Sequence, residues 1–139
     1  MKNKKLFYIL QFTWGLPLNI IGFLVALILI ILGKKPKKHK WCYYFEIGKN
    51  WGGFELGLFF LVDKNPTESI KNHELGHAIQ NCWWGPLFLI VIWIPSMIRY
   101  QYRNIIKKIK PHKKLKPYNS IWFEGEATKL GESIWKILQ

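Results

Sequence analysis

From Leu6 to Leu32 the chain runs for 27 residues without a charged side chain. A hydrocarbon core of about 30 Å is crossed by about 20 apolar residues in a helix, so this run predicts an N-terminal transmembrane helix. Gly15 and Pro17 predict a kink that lays the first turns in the interface. The run ends in Gly33-Lys34-Lys35-Pro36-Lys37-Lys38-His39-Lys40. A signal peptide would show small residues there, so an uncleaved anchor is the better reading. Five lysines follow the run and three precede it, which places the C-terminal side of the run in the cytoplasm. The chain thus divides into an anchor with basic flanks over residues 1–40 and a second unit over residues 41–139.

The net charge of +13 excludes neither nucleic acid nor an anionic membrane as partner. All eight acids lie in two windows, Glu46–Glu74 and Glu124–Glu132. The region Arg99–Lys116 carries eight Lys or Arg. No nucleic-acid-binding motif accompanies it, so an anionic lipid surface is the favoured partner and nucleic acid the rival. Cys42 and Cys82 are too few for a disulfide scaffold and read as two free thiols.

Residues 41–139 predict an α+β unit. Trp41–Ile47 and Phe54–Val62 are strand-like, with Phe54, Leu56, Leu58, Phe60 and Val62 on one alternating face, and predict a β-hairpin or two neighbouring strands. Asn65 as N-cap, Pro66 in the first turn and Glu68 as capping-box acid predict a helix running to Trp84, stopped by Gly85-Pro86. Leu87–Ile98 is apolar, short and interrupted by Pro95. Ser120 is placed to cap a final helix over Ile121–Leu138.

Within the first of these helices stands His73-Glu74-Leu75-Gly76-His77. Positions i and i+4 share a helix face, so His73 and His77 can ligate one zinc ion. Glu74 flanks that face as the general base toward a water activated by the metal. A catalytic zinc usually takes a third protein ligand. His39, His112, Glu124, Glu126 and Glu132 are the candidates. The two histidines lie in lysine runs and read as solvated surface, whereas Glu124 and Glu126 open the last helix after the long acid-free gap, and one of them is expected to face the metal. If Leu87–Ile98 crossed a membrane, the ligands would lie on opposite sides. The segment over residues 86–98 is therefore expected to be re-entrant, interfacial or buried against the strands.

His73-Glu74-Leu75-Gly76-His77 followed by Glu124 resembles the gluzincin branch of the zincin metallopeptidases. More loosely, the chain resembles small bacterial membrane proteins with this motif and a Glu-x-x-Ala-x-x-x-Gly segment, here Glu124, Ala127 and Gly131. The resemblance implies a minimal zincin-like domain, with Zn2+ held by His73, His77 and Glu124, and Glu74 catalytic. It further implies a peptide or protein substrate aligned by the preceding strand, and a location at the bacterial cytoplasmic membrane. An acid often stands four residues after the ligand Glu in that branch; here the position is Thr128. The partner of the imidazoles is thus left open between Glu126 and a backbone carbonyl, and the oxyanion donor among Tyr118, Tyr100, Tyr102 and Arg103. The expected function is a membrane-anchored zinc metallopeptidase. An intramembrane zinc protease is one alternative, which Asn72, Gln80, Asn81 and the charged Glu68 and Lys71 argue against. A non-catalytic zinc-binding or basic lipid-binding adaptor is the other.

Overall fold

The computed structural model of this α+β chain describes residues 3–137, with side chains described through Ile134. The apolar N-terminal run folds as two helices, α1 (Lys4–Phe12) and α2 (Leu16–Ile31), bent 87° from one another. The expected spanning helix is therefore not one helix, and among the described residues no single helix is long and apolar enough to cross a membrane. Pro17 in the first turn of α2 has a φ suited to starting a helix and no N–H with which to continue α1.

A buried amide network holds this elbow onto the rest of the fold. Gln11 Nε2 donates to the Ala78 carbonyl at 2.8 Å. Asn81 Nδ2 donates to Gln11 Oε1 at 2.9 Å. Asn19 Oδ1 accepts from the Leu58 N–H at 2.7 Å. Leaving any one of these buried groups unpaired costs about 1–3 kcal/mol.

The sheet has four strands: β1 (Lys37–His39), β2 (Cys42–Glu46), β3 (Gly53–Leu56) and β4 (Phe59–Val62), in the order β1-β2-β4-β3. Trp41–Ile47 and Phe54–Val62 do not form one hairpin. The latter segment is itself the hairpin, because Gly57, with φ +78°, opens a two-residue turn between Leu56 and Phe59. β2 then pairs in parallel with β4, so the strands before and after the turn-rich Gly48–Gly53 run are neighbours only through β4. β3 is left as an outer strand.

The central helix α3 (Glu68–Trp84) begins later than Asn65. Asn65 sits at φ +59°, left-handed backbone rather than the extended conformation of an N-cap. The Thr67 hydroxyl is the cap, accepting from the Ile70 N–H at 3.3 Å. Every residue from Glu74 to Cys82 is buried. One core joins Phe7, Phe60, Leu75, Ile79 and Ile134 between the sheet, α1, α3 and α5; a second joins Leu18, Leu56, Phe88, Ile92 and Phe123. After α3 the chain bends by 116°. It passes through a 3-10 turn (Gly85–Leu87) and a π-helical turn (Leu89–Trp93) into α4 (Ile94–Ile109). Pro95 thus starts α4 rather than breaking it. A short 3-10 turn (Tyr118–Ser120) leads into α5 (Trp122–Ile137); the expected helix end at Leu138 lies outside the described residues. Ser120 does not cap α5: its hydroxyl accepts from Arg99 Nη2 at 3.0 Å.

Candidate metal centre

α3 and α5 meet where both carry small residues. Gly76 faces the Ala127 carbonyl and Gly131 faces the Asn72 carbonyl, each so closely that a Cβ would collide with backbone. This contact brings the two histidines of α3 against the first turn of α5. His73 Nε2 lies 3.0 Å from Glu124 Oε2, His77 Nε2 lies 3.2 Å from the same oxygen, and the two Nε2 atoms are 3.1 Å apart.

The surrounding hydrogen bonds assign the imidazole tautomers. Gln80 Nε2 donates to the Phe123 carbonyl at 2.9 Å and to Glu126 Oε2 at 2.8 Å. Its Oε1, 2.8 Å from His77 Nδ1, must therefore accept. The Thr128 hydroxyl donates to the Glu124 carbonyl at 3.0 Å, so it accepts from His73 Nδ1 at 2.9 Å. Both rings carry their proton on Nδ1 and turn an Nε2 lone pair toward the carboxylate. Three acceptors packed this way need positive charge among them, from a shared proton or a metal ion. With both Nδ1 positions already protonated, a metal ion satisfies all three at once. A tetrahedron with ligand bonds of 2.0–2.1 Å has edges of about 3.3 Å, close to the spacings present.

The triad lies in the wall of a cavity of about 640 Å3. Strand β3, helix α3, the inner side of the segment from Ile92 to Gln101, and Tyr118 enclose it. Glu74 is 5% exposed and borders the same space. Burial raises its carboxyl to a pKa of about 7; His73 opposes that rise and the Glu124 charge adds to it. Gly53 on β3 makes room for Glu74, because a side chain there would collide with the carboxylate. The Ser96 hydroxyl donates to Glu124 Oε1. The Tyr118 hydroxyl, 3.2 Å from Ser96 Oγ, donates in turn to that oxygen. Burial, and then the Glu124 charge, raise the Tyr118 phenol to about 12.

No family model, curated protein or solved structure matches this chain.

The remaining candidates take other places. His39 is buried rather than solvated, because pairing of β1 with β2 ends at this residue and turns its ring onto α3, with Nε2 3.0 Å from Asn72 Oδ1. His112 and Glu132 are exposed. Glu126 reaches His77 only through Gln80. Of the four oxyanion candidates, Tyr118 and Tyr100 border the cavity, and Tyr102 is exposed. Arg103 donates to the Lys116 carbonyl at 2.6 Å while Arg99 holds the Pro117 and Tyr118 carbonyls. Both guanidinium groups stand within 6 Å of the Tyr118 ring, at 5.7 and 5.6 Å. These two arginines thus clasp the turn that delivers Glu124. The polar residues of α3 are not solvent-facing either: Asn72, Gln80 and Asn81 are all buried in contacts within the protein. Their polarity therefore does not place α3 in water.

Sequence reasoning missed Gln80, Thr128 and Ser96. Ser96 had a signal, as the one hydroxyl in the apolar Leu87–Ile98 segment. Thr128 occupied a recognised position with an unexpected residue type. Gln80 had none, because a glutamine three residues after a histidine is ordinary in helices.

Proposed function

We propose that this protein is a membrane-anchored zinc metallopeptidase. The observation that carries the reading is the convergence of His73 Nε2, His77 Nε2 and Glu124 Oε2 beside a cavity that also holds the buried Glu74. Two imidazoles and one carboxylate suit zinc and leave a fourth position open. Zinc, when bound, polarises a peptide carbonyl and eases the deprotonation of water. Glu74, buried beside the triad, would take the proton of the attacking water and return it to the leaving nitrogen. Tyr118 keeps its proton at neutral pH and borders the cavity, and by turning that proton from Ser96 Oγ it would donate to the carbonyl oxygen as charge builds there. β3, the outer strand on the cavity rim, offers the edge along which an extended peptide lies.

Metal analysis and peptide cleavage by the purified full chain test this. Zinc is expected at one per chain. Glu74→Gln is expected to keep the metal and to lose cleavage of a quenched-fluorescent peptide library by about 10²–10⁴-fold, the usual worth of a general base. A wild type that holds zinc but cleaves no member of the library would assign the metal a structural role. A chain that binds no metal would sink the reading altogether.

A further inference from the structure

We infer that this chain is a one-leaflet membrane protein: the tip of α2 and the apolar outer side of the segment from Ile90 to Ile98 enter an anionic bilayer from one side, and no described segment crosses it. The inference rests on the membrane attachment in the proposed function and is independent of the metal.

The start of α2 and the strand that follows the helix belong to the same folded body. Near its start, Asn19 is bonded to the β3–β4 turn through the Leu58 N–H. Gly22 lies against the Leu56 carbonyl, and the Phe23 and Phe59 rings are 5.0 Å apart. Ala26 is the last buried residue of the helix. The chain rejoins the sheet at Lys37, which pairs with Tyr44. Only residues 27–36 leave the body, and they must go out and return. The helical part, from Leu27 to the end of α2 at Ile31, rises about 7.5 Å at 1.5 Å per residue. That matches the depth of an interfacial helix, about 5–10 Å, and falls far short of a core of about 30 Å. A spanning α2 would require the sheet to reach both faces of the bilayer.

The surface on this side is apolar and the charge around it is of one sign. Ile31 and Leu32 at the tip are 75% and 67% exposed. Ile90 and Ile98, in the segment after α3, are 67% and 61% exposed. The start of α2 packs beside this segment, since Leu18 shares a core with Phe88 and Ile92. Lys34 and Lys35 follow the tip, and Lys107 and Lys108 close α4. No Asp or Glu precedes Glu46 or lies between Leu75 and Phe123. A second copy of so basic a chain would meet its own lysines across this surface, whereas anionic headgroups complement them. The inner side of the Ile92–Gln101 segment walls the cavity, so the site lies directly behind the lipid-facing surface.

The test adds full-length protein to preformed phosphatidylcholine vesicles with and without one quarter phosphatidylglycerol. Flotation is expected with the anionic vesicles, to survive high salt, and to fall at least tenfold in the exposed-tip variant Leu27→Glu/Ile31→Glu. A membrane-impermeant maleimide is expected to label Lys5→Cys and Lys38→Cys equally from outside, with the buried Cys42 and Cys82 of the wild type as the unlabelled control. Protection of one of the two cysteines until detergent is added would mean that α2 spans, and would overturn the one-leaflet placement while leaving membrane attachment standing. Failure to float on either vesicle would overturn both, and a dimer that stays in solution would assign the surface to a second copy. Binding that high salt removes would reduce the contact to headgroup electrostatics and overturn insertion.

Discussion

Thr128 stands four residues after Glu124, where an acid would orient the neighbouring imidazole, and its hydroxyl does that work through a single accepted hydrogen bond from His73 Nδ1. A neutral hydroxyl raises the basicity of a ligand imidazole less than a carboxylate does, yet it still selects the tautomer and fixes the ring. On the proposed zinc reading, Thr128→Val is therefore expected to weaken zinc binding by about 10–100-fold, measured by competition with a chromogenic chelator. Thr128→Asp is expected to bind at least as tightly as wild type. Equal affinity for Thr128→Val would show that the ring is held by α3 alone. The residue was visible in the sequence but read as a gap in the pattern, because residue type at one position does not reveal which atom it faces.

At the scale of elements, the site is made by the contact of α3 with α5. Gly76 sits inside the His-Glu-x-x-His segment, where alanine would gain about 1 kcal/mol of helix propensity. Its surroundings reverse that sign, because a methyl there meets the Ala127 carbonyl, which is backbone and cannot rotate away. Overpacking of this kind costs about 1–3 kcal/mol, so Gly76→Ala is expected to lower the thermal midpoint. It is also expected to weaken metal binding, since any separation of the helices carries Glu124 from the histidines. An unchanged midpoint in a calorimetric scan would contradict the packing. The helices were legible from apolar runs and Gly-Pro stops. Their starts were less so: Thr67, with extended backbone, takes the cap position, while Asn65 lies in the left-handed region. The hairpin inside Phe54–Val62 was hidden because the same alternation, Leu56, Leu58, Phe60, Val62, continues on both sides of the Gly57 turn.

The whole molecule carries a pH dependence from a carboxyl that the proposed chemistry does not use. Glu55 is 3% exposed on β3, with Oε1 accepting from the Gly57 N–H at 2.6 Å and Oε2 without a hydrogen-bond partner among the described residues. Burial holds its pKa well above the ordinary 4.5, and the Glu74 charge adds to the rise. The folded chain therefore keeps a proton that the unfolded chain gives up. The stability linked to this proton is fully present below about pH 4.5 and is lost as pH climbs toward the raised value, by up to about 1.4 kcal/mol per pH unit. Glu55→Gln keeps the acceptor for Gly57 and cannot ionise. Its thermal midpoint relative to wild type is expected to rise as pH climbs from about 4.5 toward the raised value. A constant difference across that range would mean that Glu55 is ionised in the folded protein.

The sequence by itself determined the parts that depend on neighbours along the chain. His73 and His77 share a face because a helix places i and i+4 together. Gly85-Pro86 ends that helix by local backbone chemistry, and the ligands on either side of Leu87–Ile98 had to share a compartment for one ion to hold them. What tertiary structure decided depends on groups far apart in sequence. It selected Glu124 over Glu126, because α5 approaches α3 through Gly76, Ala127 and Gly131 and so turns one carboxylate inward and the other onto Gln80. It also turned the 27-residue apolar run into two helices. Asn19 and Gln11, polar residues that interrupt the run only weakly, reach the backbone of Leu58 and Ala78. Hydropathy counts such side chains, but only the fold shows what they hold.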